Sequence, residues 1–258
     1  MLAISDAIPR AALVTGGGKR LGAAIALALA DAGFGVAVHC RASRAEAERV
    51  AGAVRGRGRA ACVLQADLDD ETATADLLPR ASEALGPVGV LVNNASRFER
   101  DEWDTVTREG WNDHLAANLR APFVLAQAFA RALPARAEGV VVNMLDQRVW
   151  SLTPHFVSYS VSKAGLWALT QQLALALAPR IRVVGVGPGP ALPSAKQTEE
   201  QFARQCAGTP LRRGTSPEEV AYAVVALLHM RAVTGQMLAL DGGQHLNWSP
   251  ARVSPLDE

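Results

Sequence analysis

The sequence predicts an α/β fold, a single doubly wound parallel sheet of about seven strands with helices on both faces. Three observations predict it. Short apolar runs rich in β-branched residues recur along the chain, and they are continuous rather than alternating, as strands buried on both faces should be. Amphipathic or Ala/Leu-rich stretches long enough for crossover helices lie between them. The connections are short, and right-handed crossovers then place helices on both sides of one sheet.

In chain order, Ala11–Val14 is the first strand, followed by a glycine-rich turn and a helix over Leu21–Ala32. Gly35–His39 is the second strand, with a helix over Arg44–Arg55, and Ala61–Leu64 is the third. Val88–Val92 and Gly139–Met144 follow, separated by a long helical pattern over Trp111–Leu133. Ser158–Ala178 reads as a second long helix, then Ile181–Val186 as a strand, Pro217–His229 as a helix and Met237–Leu240 as the last strand. This is a Rossmann-type order. No Pro/Gly/Ser linker divides the chain, so residues 1–258 form one domain with a core over about 10–246 and a loop-like tail over 247–258. Residues 189–208 break the strand rhythm and are rich in Pro, Ser and Gln. They follow a strand's carboxyl end, where ligands bind in such sheets, and read as a mobile segment covering a substrate.

Composition narrows the function. Apolar residues make up 49% of the 258 and charged residues 20%, an ordinary globular balance. A formal net charge of +1 gives no basic footprint for nucleic acid. The densest basic run, Arg55, Arg57 and Arg59, is interleaved with glycines and reads as a solvated loop. Cys40, Cys62 and Cys206 are odd in number and lack metal-ligand spacing, so neither a disulfide framework nor a metal site is expected. MLAISDAIPR lacks the features of a secretory signal, and no apolar run approaches the ~20 residues that span a bilayer. A cytoplasmic enzyme with no membrane partner is the expectation. Lysine is rare: of 26 Lys plus Arg, only Lys19, Lys163 and Lys196 are lysine.

The first strand runs into Thr15-Gly16-Gly17-Gly18-Lys19-Arg20-Leu21-Gly22. Glycines such as Gly16 and Gly18 let backbone turn tightly and approach a pyrophosphate, whose charge is favoured at the following helix N-terminus. Lys19, Arg20 and Leu21 complete this side of the site. The second strand closes at His39-Cys40-Arg41-Ala42-Ser43, where an NAD site usually carries an acid for the ribose hydroxyls. Here Arg41 and Ser43 suit a 2′-phosphate instead, with Lys19 or Arg20 beside it, so the predicted cofactor is NADP(H). Asp67, followed by Leu68, is either an adenine contact or a helix N-cap before Asp69-Asp70-Glu71.

Tyr159 and Lys163 stand four apart, on one face of a predicted helix. A phenol has an ordinary pKa of ~10, and a nearby ammonium should lower it. Tyr159 can then donate a proton while a neighbouring nicotinamide gives hydride.

Together with Asn93-Asn94-Ala95, Asn118-Leu119-Arg120, Pro188-Gly189 and Leu240-Asp241-Gly242-Gly243, these motifs resemble the short-chain dehydrogenase/reductase family over about Arg10 to Leu246. The resemblance implies that Asn118 and Lys163 hold a proton-relay water and that Lys163 also binds the nicotinamide ribose. It implies that Asn94 and Ala95, with Pro188 and Gly189, support the cofactor. It also implies a homotetramer formed through the long central helices.

Two departures sharpen it. The middle glycine of the family's TGxxxGxG loop is Arg20, and the usual catalytic Ser, thirteen residues before Tyr159, is Asp146. With Ser96 and Phe98 after the Asn-Asn-Ala motif, this resembles the pteridine reductase branch, which includes the bacterial alternative dihydrofolate and dihydromonapterin reductases. A pterin needs hydride at a ring C=N and a proton at nitrogen, which a carboxylate near the ring can supply. The catalytic set implied is Asp146, Tyr159, Lys163 and Asn118. Arg20, Ser96, Phe98, Asp146 and Tyr159 would contact a pterin or folate-like small molecule, with the ring stacked between nicotinamide and Phe98. Arg20 could serve the cofactor alone, Phe98 could be packing, and Trp150 or His155 could touch substrate or pack at the rim. His245 could reach a neighbouring subunit's site. Two other functions stay in view: a carbonyl reductase, which Asp146 disfavours because a carboxylate repels a developing alkoxide, and a silent NADP(H)-binding regulator, which the intact Asn118, Tyr159 and Lys163 disfavour.

Overall fold

The computed structural model describes residues 3–194 and 197–247. Lys196 and the tail beyond Asn247 lie outside them. The seven strands are β1 (Ala11–Val14), β2 (Gly35–Cys40), β3 (Ala61–Gln65), β4 (Val88–Asn93), β5 (Gly139–Met144), β6 (Ile181–Pro188) and β7 (Met237–Leu240). They form one sheet in the order β3-β2-β1-β4-β5-β6-β7, with every neighbouring pair parallel. The order reverses between β1 and β4, and that switch point opens a crevice at the carboxyl ends of the strands.

The helices are α1 (Arg20–Asp31), α2 (Arg44–Arg55), α3 (Glu71–Leu85), α4 (Arg108–Leu115), α5 (Ala121–Ala132), α6 (Val157–Ala176), α7 (Glu199–Ala207) and α8 (Pro217–His229). Side chains alternate across a strand, so a continuous apolar run feeds two cores at once. Ala12 and Val14 of β1 join Val36, Val38, Val90 and Val92 under α1, α2 and α8. Ala11 and Leu13 face the other way, joining Leu91, Val141 and Val183 with α3 and α5 residues such as Leu77 and Phe129.

Several predicted boundaries shift for physical reasons. β2, β3, β4 and β6 run past their apolar stretches, ending at Cys40, Gln65, Asn93 and Pro188. Of these last residues, Cys40 and Pro188 line the crevice. The helix that Asp69-Asp70-Glu71 could open is α3, and it runs through Pro79, which reads as a stop signal. Its N-cap is Asp70, which accepts from the Ala73 N–H at 3.0 Å, so the cap reading of Asp67 is corrected. The single helix predicted over Trp111–Leu133 is α4 and α5 joined by a π-helical turn, Ala116–Arg120. Pro122 causes the break, because it lacks the N–H that would bond the Asn118 carbonyl. The segment 189–208 is not wholly loop. Thr198 and Gln201 form a capping box that starts α7.

Among the described residues, no helix is long and apolar enough to cross a membrane. Nor does any group of three or more His, Cys, Asp or Glu side chains lie where it could hold a metal ion.

Candidate active site

The loop after β1 is tied to the loop after β4 across the switch point. Thr15 Oγ1 accepts from the N–H groups of Asn94 and Ala95, each at 2.9 Å. Asn94 Nδ2 donates back to the Thr15 and Gly16 carbonyls at 2.8 and 3.2 Å. Gly16 has φ +60°, and a Cβ there would lie 3.1 Å from Ala95 Cα. Gly22 seats α1 on the loop, since a Cβ would come within 2.2 Å of the Gly16 carbonyl. The cap residue of α1, Lys19, offers no side-chain hydrogen bond, so the first-turn N–H groups of α1 remain available for an anion.

This loop opens on a cleft of about 1050 Å³ along the strand ends. Of the predicted phosphate-loop residues, Gly16, Lys19, Arg20 and Leu21 line it. Gly18 does not. It packs on α2, where an added Cβ would stand 3.0 Å from Ala47 N. At the far end the cleft is lined by His39, Arg41, Ser43, Asp67 and Leu68. Lys19 reaches Glu46 at 2.9 Å and thus ties the loop to α2. His39 is fully used by the protein: Nδ1 accepts from the Gly16 N–H at 3.1 Å, which leaves Nε2 to donate to the Ala66 carbonyl at 3.2 Å. Burial holds its pKa below the usual histidine value. It acts as a buried clamp on the loop.

Arg20 is a non-glycine residue at φ +50°. Its guanidinium spans the cleft mouth and donates to the carbonyls of Pro193 and Leu192 at 3.1 and 3.4 Å. The phosphate loop is thereby joined to the segment after β6, where Pro188 and Gly189 also line the cleft.

At the opposite end, Tyr159, Lys163, Asp146, Ser96 and Phe98 converge on the same cleft. Tyr159 and Lys163 rise from α6 on one helical face. The Tyr159 hydroxyl donates to Asp146 Oδ2 at 2.8 Å. Asp146 is also the cap of the short turn after β5, where its Oδ1 accepts from the Arg148 N–H at 2.8 Å. Lys163 Nζ donates to the Met144 carbonyl at 2.8 Å, and burial lowers its pKa to about 8. The expected lowering of the Tyr159 pKa is corrected: burial, and then the Asp146 carboxylate, raise it well above the ordinary phenol value. The phenol is therefore held protonated, as a proton donor rather than a phenolate.

Asn118 is buried beneath the cleft rather than lining it. Its amide clamps the strand-end loop, with Oδ1 accepting from Arg97 N at 2.8 Å and Nδ2 donating to Arg97 O at 2.9 Å. Nδ2 also donates to Ser162 Oγ at 3.0 Å, and Ser96 Oγ donates to Oδ1 at 3.2 Å. These bonds hold the Ser96–Phe98 loop. Below it, Asn93, Asn143 and Thr170 form a buried chain, Asn93 to Asn143 at 2.8 Å and Asn143 to Thr170 at 2.9 Å.

Phe98 is 40% exposed and lies parallel to Phe156, with ring centroids 4.7 Å apart. It also meets Tyr159 edge-on at 4.7 Å. One face is thus covered by protein while the ring still borders the cleft. Phe156 and Arg148 were not anticipated. Phe156 sits at φ +58°, for which its sequence carries no signal. Arg148 Nη1 approaches Asp146 Oδ2 at 3.4 Å, and its guanidinium lies over both Phe98 and Phe156. The only sequence signal for Arg148 is its place two residues after Asp146. Trp150, His155 and His245 do not line the cleft. His155 bonds Glu102 at 2.7 Å. Trp150 packs against Trp167 and His245, and His245 bonds Asp241 at 2.7 Å.

A protonated phenol and a buried ammonium at the switch point of such a sheet are the equipment of a nicotinamide-dependent oxidoreductase. Residues 18–245 match the family model described as enoyl-(acyl carrier protein) reductase, and the chain belongs to the short-chain dehydrogenase/reductase family. It is 44% identical to the FolM alternative dihydrofolate reductase 1 from Brucella canis, crystallised with NADP, with a TM-score of 0.92 over 97% of this chain and 100% of that one. The Brucella suis protein of the same name, also in complex with NADP, is 44% identical with a TM-score of 0.91, over 98% of this chain and 100% of that one. By sequence the chain is also 35% identical to "Probable galactose dehydrogenase GalD" from Rhizobium meliloti, over 92% of this chain and 96% of the relative.

Proposed function

We propose that the protein is an NADPH-dependent reductase of a dihydropterin or dihydrofolate-type substrate, acting at a ring C=N. The observation that carries this reading is the 2.8 Å hydrogen bond from Tyr159 to Asp146 beside the bordering ring of Phe98. A ketone reductase gains nothing from a carboxylate at this place, whereas protonation of a ring nitrogen does.

The cleft fits NADP(H). Gly16 and Gly22 leave no Cβ between the loop and its neighbours, the first turn of α1 is uncapped by side chains, and Arg41 and Ser43 line the end where a 2′-phosphate would lie. Gly16, Lys19, Arg20 and Leu21 would hold the phosphates, and Asp67 and Leu68 the adenine side. Asn94, Ala95, Pro188 and Gly189 would flank the nicotinamide end. When bound, NADPH supplies the hydride. Lys163 orients the ribose beside Tyr159, Phe98 stacks the flat substrate, and Ser96 and Arg20 meet its polar edges. Tyr159 and Asp146 hold one proton between two oxygens and deliver it to the substrate nitrogen. Hydride plus that proton reduces one C=N bond.

The quaternary state in this reading is a homotetramer working in the cytoplasm. Val161 and Leu175 on α6 are exposed and would be covered by a neighbouring subunit. Light scattering tests the mass.

The function is tested by following nicotinamide absorbance with dihydrobiopterin, dihydromonapterin, dihydrofolate and a diketone, each with NADPH and NADH. Turnover of the pterins with NADPH is expected. Turnover of the diketone alone would assign the protein as a carbonyl reductase instead.

A further inference from the structure

Gln147 follows Asp146 in the turn after β5, and it lines the same cleft as Asp146 and Phe98. The residue is 3% exposed, yet its amide oxygen is buried without a hydrogen-bond partner among the described residues. Burying an amide oxygen unpaired costs about 1–3 kcal/mol. The fold does not need the side chain to build the turn. Asp146 Oδ1 already caps it through the Arg148 N–H, and the Gln147 main-chain carbonyl accepts from Trp150 at 3.0 Å. Among nearby buried amides, Asn118 and Asn143 each hold partners from other elements, and the one other unpaired amide oxygen among the described residues, that of Asn93, belongs to a residue that does not line the cleft. An apolar side chain of similar size would serve packing better. The orphan acceptor therefore points to a donor that arrives with a ligand.

We infer that Gln147 is a specificity-determining residue whose amide accepts a hydrogen bond from an N–H of the substrate. The inference rests on the pterin reading above. It assigns Gln147 to a ring edge bearing an amino group rather than a carbonyl. A site with an acceptor waiting rejects an analogue that brings a second acceptor, because both oxygens are then left unpaired. The enzyme should thus prefer a dihydropterin to the dihydrolumazine of the same side chain, which carries oxygen in place of the 2-amino group.

The test compares the full-length wild type with Gln147→Leu and Gln147→Glu on those two substrates, with NADPH affinity and thermal stability measured alongside. The wild type should favour the amino compound. Gln147→Leu should raise KM for it by roughly tenfold, the weight of one hydrogen bond, with kcat within about twofold. The same variant should lose the preference, bind NADPH normally and keep or gain stability, because an orphan oxygen is removed. Gln147→Glu retains an acceptor and should keep the preference. It also serves as the second variant if Gln147→Leu does not fold. An unchanged preference in Gln147→Leu alongside normal pterin turnover would overturn this inference alone. Absence of pterin turnover in the wild type would overturn the pterin reading and this inference with it.

Discussion

Tyr159 donates its hydroxyl hydrogen to Asp146 Oδ2 at 2.8 Å, joining α6 to the turn after β5. The same carboxylate is the second-largest reason, after burial, that the phenol pKa is raised. The pair therefore stores a proton rather than releasing it. Replacing Asp146 should remove that store. Asp146→Asn and Asp146→Ala are expected to lower kcat for a dihydropterin by about 10²- to 10⁴-fold while leaving NADPH affinity within about twofold. Steady-state kinetics with fluorescence titration of NADPH checks both halves. Full turnover by Asp146→Ala would remove the carboxylate from the chemistry.

Lys163 gives a prediction in pH for the cofactor-free enzyme. Burial lowers its pKa to about 8, whereas an unfolded lysine titrates near 10.4. Below pH 8 the ammonium is charged in both states, and its burial costs the fold. Between about pH 8 and 10.4 the unfolded chain binds more protons, so stability from this group rises with pH. Set against Lys163→Met, the wild type should gain on the order of 3 kcal/mol across that window. Chemical denaturation of both proteins at either end of the window measures the difference, and parallel curves would contradict it.

Arg20 occupies φ +50°, where a Cβ is disfavoured by about 1–2 kcal/mol. Arg20→Gly and Arg20→Ala both lose the contacts to Pro193 and Leu192. Only glycine also relieves the backbone. Arg20→Gly should therefore melt roughly 2–4 °C above Arg20→Ala, and both should bind NADPH more weakly than the wild type. Equal melting temperatures would place the two variants' backbones outside the left-handed region.

Arg41 lines the end of the cleft assigned to the 2′-phosphate. Arg41→Asp puts an acid where NAD enzymes hold ribose hydroxyls, and it removes a charge-assisted contact to phosphate. The ratio of kcat/KM for NADPH over NADH should fall by about 100-fold or more. A ratio unmoved by the substitution would transfer phosphate recognition to Ser43 and Lys19.

Much of the site was legible because it is written in local sequence. Gly16 announces a tight turn, and Tyr159 and Lys163 share a face because four residues make about one helical turn. Asp146 stands out by its distance from Tyr159. The parts missed have no such local mark. Pro79 reads as a stop, yet α3 continues through it. His39 lines the cleft, and only the fold shows that both its nitrogens are bound by protein groups. Arg148 and Phe156 reach the site only because the turn after β5 folds against the start of α6.

The sequence by itself determined the strand and helix order, the phosphate loop and the Tyr-Lys pair, because periodicity and glycine chemistry act over a few neighbouring residues. Tertiary structure alone decided that Asp146 accepts from Tyr159, that the phenol pKa goes up rather than down, that Arg20 crosses to Pro193, and that Gln147 is buried with an unpaired oxygen. Each of these depends on burial and on contacts between residues distant in the chain. Desolvation sums over everything packed around a group, and no window of sequence contains that sum.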